Sequence, residues 1–231
     1  MDKQKAKRAA PQAVGAAAAW LARLWNEEYL RILITGAQRF VLCAVLARGT
    51  VLGGYAPFGL AMAAAQMAHG AGLSAVGGMV CGVMLLGDGM RGGVYAAAAL
   101  LVLCVMSVCA GLEIVQARWF APTVATLAGT VCTFVFLPVG PALDAAAVLT
   151  FAAVQGLTFA ACRVYGAALS PPREESDWRR PVTLLALAAT VLLALSDLRI
   201  AGLFAPARVA ALLLVLAAAY LGGSAAGAAA G

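Results

Sequence analysis

Few side chains in this chain of 231 residues have types and spacing suited to chemistry. His69 is the single histidine, so one chain cannot assemble a histidine-based metal site or a nucleophile–histidine–acid triad. Six cysteines (Cys43, Cys81, Cys104, Cys109, Cys132 and Cys162) fall in apolar stretches, and none forms a CxxC pair. They read as small buried apolar residues rather than metal or redox ligands. Glu113, Asp144 and Asp197 lie near the ends of apolar stretches, whereas a proton relay would need carboxylates mid-span. Asp144, soon after Pro141, suits the first turn of a helix, where the dipole favours a carboxylate. Asp88-Gly-Met-Arg91 joins two apolar stretches with no second acidic motif nearby. A divalent cation needs several oxygen ligands, so Asp88 and Arg91 read as a paired, flexible turn. Gln66 and Gln155 are placed to bond across helices. No catalytic, cofactor-binding or metal-binding residue is expected.

Arg48 is the most legible polar residue. It closes an apolar helix just before Gly53-Gly54-Tyr55-Ala56-Pro57. An arginine at that depth either snorkels to a polar surface, as an anchor, or pairs within the bundle, fixing its geometry.

The elements around these residues are set by missing charge. No Lys, Arg, Asp or Glu occurs from Gly49 to Gly87, nor from Trp119 to Leu143, and hydrophobic residues make up 64% of the chain. Only helices and closed barrels satisfy their backbone in lipid, and continuous apolar runs favour helices over alternating barrel strands. The expected fold is all-α: a polytopic transmembrane bundle of about eight spans with a cytoplasmic N-terminus. The spans are predicted at 39–54, 57–71, 73–87, 92–112, 119–137, 141–163, 181–197 and 206–226. Prolines and glycines punctuate them, with Pro57 at a helix start, where proline is best tolerated. The second and third are short for a bilayer, so they are tilted, re-entrant, or one broken unit.

Residues 1–38 form a basic N-terminal segment ahead of a transmembrane domain, 39–231. Within it, 12–35 reads either as an amphipathic helix, with Trp20, Leu21, Leu24, Trp25, Ile32 and Leu33 at helical spacing, or as a lead-in to the first span. A cytoplasmic start puts twelve basic residues inside and four (Arg48, Arg91, Arg199 and Arg208) outside, as the positive-inside rule requires. Topology thus accounts for the lysines without a nucleic-acid partner.

Gly78 and Gly82 make a GxxxG pair, and Gly223, Gly227 and Gly231 repeat the spacing. Such faces let backbones approach closely, within one chain or between copies. The apolar run reaches Gly231 without a polar tail, so a truncated product or fragment is expected. Residues 53–58 and 202–206 share a Gly-x-x-Ala-Pro-like echo, each after an arginine.

Arg39–Leu52, with Ala47-Arg48-Gly49, followed by Ala56-Pro57-Phe58-Gly59-Leu60-Ala61, resembles the opening of the membrane domain of the stage II sporulation protein E family. Ala207-Arg208-Val209 and Gly222-Gly223-Ser224-Ala225-Ala226-Gly227 resemble that family's late blocks. The resemblance implies a membrane anchor of about ten spans. It also implies a C-terminal manganese-dependent type 2C serine phosphatase, which would lie outside this chain. Asp88-Gly-Met is similar to the metal turn of such phosphatases, but its setting between apolar stretches carries no catalytic role over. The implied role of this chain is anchoring, oligomerisation and targeting to the division septum of a bacterial plasma membrane. Its partners would be lipid, further copies of itself and cell-division proteins. The full-length phosphatase would activate the forespore sigma factor. Short, glycine-rich, broken spans also suit a small transporter or a substrate-binding membrane component.

Overall fold

The computed structural model describes residues 28–52, 54–85, 89–136, 144–170, 179–196 and 211. The chain divides into two units, Met1–Gln38 and Arg39–Gly231. Among the described residues every regular element is helical: α1 (Glu28–Ala47), α2 (Pro57–Met67), α3 (Gly72–Met84), α4 (Gly89–Val108), a 3₁₀ turn (Glu113–Gln116), α5 (Phe120–Phe136), α6 (Ala145–Leu169) and α7 (Arg179–Leu195). Two of them, over Tyr29–Ala47 and Ala145–Leu169, are long and apolar enough to cross a membrane.

Helix boundaries differ from the expected spans for identifiable reasons. The first helix begins ahead of residue 39, because Ile32, Leu33 and Ile34 continue the apolar pattern, and it stops at Ala47 rather than at residue 54. There the chain turns through Leu52 (φ 48°) and Gly54 (φ 98°), and Val51 and Tyr55 exchange both backbone hydrogen bonds, at 2.7 and 3.0 Å. α4 ends at Val108 rather than 112, and the 3₁₀ turn takes up the next residues. α6 begins after Asp144, whose carboxylate accepts the Ala146 N–H at 3.5 Å. It then runs past Arg163 to Leu169, beyond the expected end at 163. A single arginine does not break a helix. Pro171 does, by forcing Ser170 to an extended ψ of 144°. The predicted span 206–226 lies outside the described residues except for Ala211.

Side-chain register fixes the helix directions within the second unit. A β-carbon on Gly78 would collide with the Phe40 carbonyl oxygen, and one on Gly82 with that of Ala44, so α3 runs parallel to α1. Gly59 stands against Ala47, while Gln66 reaches Arg39, so α2 runs antiparallel to both. Gly72 faces Leu103 and Gly92 faces Val83, which turns α4 back again. Gly129 faces Gln155, and Phe134 stacks edge-on against Phe151 at 5.5 Å, so α5 and α6 are antiparallel.

The core is built from small residues. Ala61, Ala63, Ala64, Ala98, Ala99 and Ala125 are fully buried, with Leu46, Met62 and Met79 filling the remaining space. α5 shows how the sequence achieves this: Ala121, Ala125, Ala128 and Cys132 share one face and are buried, while Leu127, Val131, Phe134 and Val135 face out. The pattern has helical period but opposite polarity to a soluble helix, with small residues inside and large apolar ones outside.

Candidate functional site: a buried short helix and its two ends

α2 is the element on which the site is built. Its 11 residues give a length of about 16 Å, roughly half the apolar thickness of a bilayer. All of them are buried, including Pro57 and Gln66. α3, α4, α5 and α6 all pack on it, and Gly59 brings its backbone against that of α1. α3, with 13 residues, is also short, and the turn between the two uses Gly70 at φ 79°. The second and third predicted spans are therefore two short helices joined by a tight turn.

At the hairpin end of α2, Pro57 occupies the first turn, where its missing N–H costs nothing. The N-cap, Ala56, has no side chain to receive the first free N–H groups. The Tyr95 hydroxyl of α4 instead accepts the N–H of Ala56 itself at 3.1 Å, tying α4 to the chain just before α2. Arg48 lies close by in sequence, half-buried in the turn after α1, with its own N–H bonded to the Val45 carbonyl. Its guanidinium has no hydrogen-bond or ion-pair partner among the described residues. Gly49 beside it is buried, and a β-carbon there would stand 3.2 Å from both Phe58 and Ala194.

At the opposite end, Gln66 is 1% exposed, and its Nε2 donates to the Arg39 carbonyl at 3.4 Å, tying α2 to α1. Among the described residues its Oε1 has no partner, and neither does Oε1 of Gln155, which lies beside Gly129. A buried polar atom without a partner costs about 1–3 kcal/mol, so both amides mark places where packing outweighs satisfaction. One turn on, His69 is exposed, and its Nδ1–H donates to the Ala65 carbonyl at 2.8 Å. Its Nε2 lies 3.4 Å from the Ser170 hydroxyl, which itself donates to the Gly166 carbonyl. The end of α2 thus meets the end of α6.

No protein-family model, curated protein or solved structure matches this chain.

The residues singled out in the sequence separate spatially. Arg48 and Pro57 flank the hairpin, and Gly78 and Gly82 form the seam between α3 and α1. Arg91 lies in the first turn of α4, and its side chain is outside the description; Asp88, Gly223 and Gly227 lie outside the described residues. Among the described residues, no three His, Cys, Asp or Glu side chains cluster as metal ligands would. The cysteines divide: Cys43, Cys132 and Cys162 are buried, but Cys81 and Cys104 are exposed, which corrects the reading of all six as interior residues. Position on the helix decides this, since Cys81 sits one residue from the inward-facing Gly82.

Sequence reasoning missed Gly59 and Tyr95. Gly59 had a signal in its Gly-x-x-x-Ala spacing to Ala63. Tyr95 had none beyond being a polar aromatic among alanines. Tyr165 was also missed; it is 1% exposed, and its hydroxyl donates to the Thr190 hydroxyl at 2.9 Å, joining α6 to α7.

Proposed function

We propose that this chain is the membrane-embedded domain of a sporulation-type protein serine phosphatase. In this reading it anchors and oligomerises the enzyme and targets it to the division septum of a bacterial plasma membrane, with no catalysis of its own. The observation that carries the membrane part is the exposure of the two long apolar helices. In Tyr29–Ala47 and Ala145–Leu169 only 17% and 22% of the apolar window is buried, whereas the core helix of a soluble protein would be mostly buried. Leu149 is 73% exposed and Val135 70%. Helix hydroxyls are satisfied within their own helices, which is compatible with a lipid environment. Thr123, Thr126, Thr130 and Thr133 of α5, and Thr150 and Thr158 of α6, each donate to the carbonyl four residues back. The shorter apolar helices then join the same bundle, in which α2 is shielded from lipid by its neighbours.

The helix directions support the topology. Arg118 precedes α5 and Arg180 begins α7, both at the end expected to be cytoplasmic. Arg48 lies at the other end. The septal and phosphatase parts rest on the sequence resemblance around Arg39–Ala61 and in 207–227. A second reading, a small transporter, is favoured by the buried short helix α2 with its unpartnered Gln66 Oε1.

Two measurements test the proposal. Cys81 and Cys104 face outward. In native membranes a water-soluble maleimide should leave both unmodified, because the charged reagent does not enter hydrocarbon. Rapid labelling of both would overturn membrane embedding. A fluorescent fusion to residues 1–231 should concentrate at polar septa in sporulating cells. An even membrane signal, with the longer phosphatase septal, would remove the targeting role while leaving the anchor.

A further inference from the structure

The connection between α4 and α5 is tightly wound and mixed in polarity. The backbone N–H groups of Ala110, Leu112, Val115, Ala117 and Phe120 each donate to the carbonyl three residues back, at 2.8 to 3.4 Å. Val115 and Phe120 rest against the core, which pins the turn to the bundle. Leu112, Ile114 and Trp119 are therefore held outward. Trp119 is 49% exposed, with its ring edge-on to Phe120 at 6.2 Å. Glu113, Gln116 and Arg118 are exposed among them. We propose, on the basis of membrane embedding, that residues 112–119 are seated in the phospholipid headgroup layer, with Trp119 marking its boundary with the hydrocarbon.

Neither water nor hydrocarbon suits this turn. In water, three large apolar side chains would be held exposed on a backbone too tightly bonded to fold them away. In hydrocarbon, Glu113 and Arg118 would be costly charges. The headgroup layer accommodates both. A tryptophan ring with its polar N–H is amphipathic and favours that level, and a guanidinium complements lipid phosphate. The surface also changes character here. On α5 the exposed side chains from Leu127 onward are apolar, and no charged residue occurs from Trp119 to Leu143. On α4, Leu100 and Val108 face out ahead of the turn. Gly72 against Leu103, and His69 beside Ser170, bring the α2–α3 turn and the end of α6 to the same end of the bundle. The polar side chains of His69 and Ser170 thus gather at the end that carries Glu113 and Arg118. From there α5, with 17 residues, extends about 25 Å, close to the apolar thickness of a bilayer at about 30 Å.

The test reads fluorescence quenching of the full chain in phosphatidylcholine vesicles. Changing Trp20, Trp25 and Trp178 to phenylalanine leaves Trp119 as the one tryptophan. Lipids brominated near the glycerol end of the acyl chains should quench it about twofold more than lipids brominated near the chain ends, and aqueous iodide should quench it weakly. A second variant, adding Trp119→Phe and Ile114→Trp, should show the same order. A third, adding Trp119→Phe and Val131→Trp, moves the probe about 18 Å along α5 and should reverse the order. Iodide quenching of Trp119 without bromolipid quenching, while the Val131→Trp probe reports deep lipid, would overturn the headgroup seat and leave membrane embedding intact. Iodide quenching at both positions without bromolipid quenching would overturn both. Stronger quenching of Trp119 by the deep bromines would put the turn in hydrocarbon and overturn the seat. Shielding of Trp119 from bromolipid and iodide alike would assign the patch to a second copy or another protein, and overturn it as well.

Discussion

α2 and α6 are both apolar helices in contact with one another, yet one is short and wholly buried while the other is long and mostly exposed. Hydropathy does not separate them. Glycine does. On the inner helices, Gly59, Gly78 and Gly82 each occupy a place where a β-carbon would strike another backbone, while Gly156 and Gly166 of α6 have nothing within 4 Å. The inner region is held by backbone contact through missing side chains, and the outer region presents large side chains to its surroundings. The same residue type is indispensable in one region and incidental in the other.

The largest expected effect breaks the inner region. Replacing both Gly78 and Gly82 with leucine drives two isobutyl groups into the Phe40 and Ala44 carbonyls of α1. Overpacking a rigid core costs about 1–3 kcal/mol per site, and backbone cannot yield as a flexible side chain would. The double variant should fail to accumulate, or unfold at markedly lower denaturant in detergent. Gly156→Leu with Gly166→Leu should unfold with the parent chain. Equal behaviour of the two pairs would abolish the distinction.

A second substitution asks what covers the outer region. Ala160 is exposed near the middle of α6. If lipid surrounds it, Ala160→Lys costs about 2.5–3.5 kcal/mol of insertion free energy, readable as a shift in membrane-inserted fraction by glycosylation mapping. If water surrounds it, the change is close to neutral and solubility rises. A lysine at Cys132, which is buried, should be destabilising in either environment, so the contrast between the two positions carries the result.

The helical class and most element centres were legible because long charge-free runs leave few other structures possible. Boundaries were less legible. The end of α1 depends on Leu52 adopting a left-handed conformation in a hairpin, which no local preference of leucine announces. The end of α6 was readable from Pro171 but was drawn too early at Arg163. The Gly78–Gly82 pair could be named from its spacing, but its partner could not, because the face of α1 that receives it carries Phe40 and Ala44 with no motif of their own. The polar ties were least legible: Tyr95 to Ala56 and Gln66 to Arg39 are single contacts between residues 39 and 27 positions apart.

Tyr95 gives a smaller test at the boundary of the two regions. Tyr95→Phe keeps the ring and removes the oxygen that accepts the Ala56 N–H at the start of α2. Loss of this hydrogen bond costs about 1 kcal/mol, and loosening at the start of α2 should expose Arg48 and the hairpin first. Faster proteolysis or amide exchange confined to residues 48–58 is expected. Unchanged exchange there would mean that Pro57 and the Val51–Tyr55 pair hold the hairpin without the Tyr95 hydroxyl.

The smallest effect concerns the outer helices. Tyr165 and Thr190 form a hydroxyl–hydroxyl bond at 2.9 Å between α6 and α7, and Thr190 donates in turn to the Leu187 carbonyl at 2.8 Å. Removing the phenolic hydroxyl leaves Thr190 satisfied by its own helix, so Tyr165→Phe strands no buried donor. Its cost should therefore stay near the roughly 0.6 kcal/mol average for interhelical hydrogen bonds in membranes. A double-mutant cycle with Thr190→Val measures it. A coupling several times larger would mean that the outer helices, like the inner ones, are held by a few specific contacts rather than by packing spread along their length.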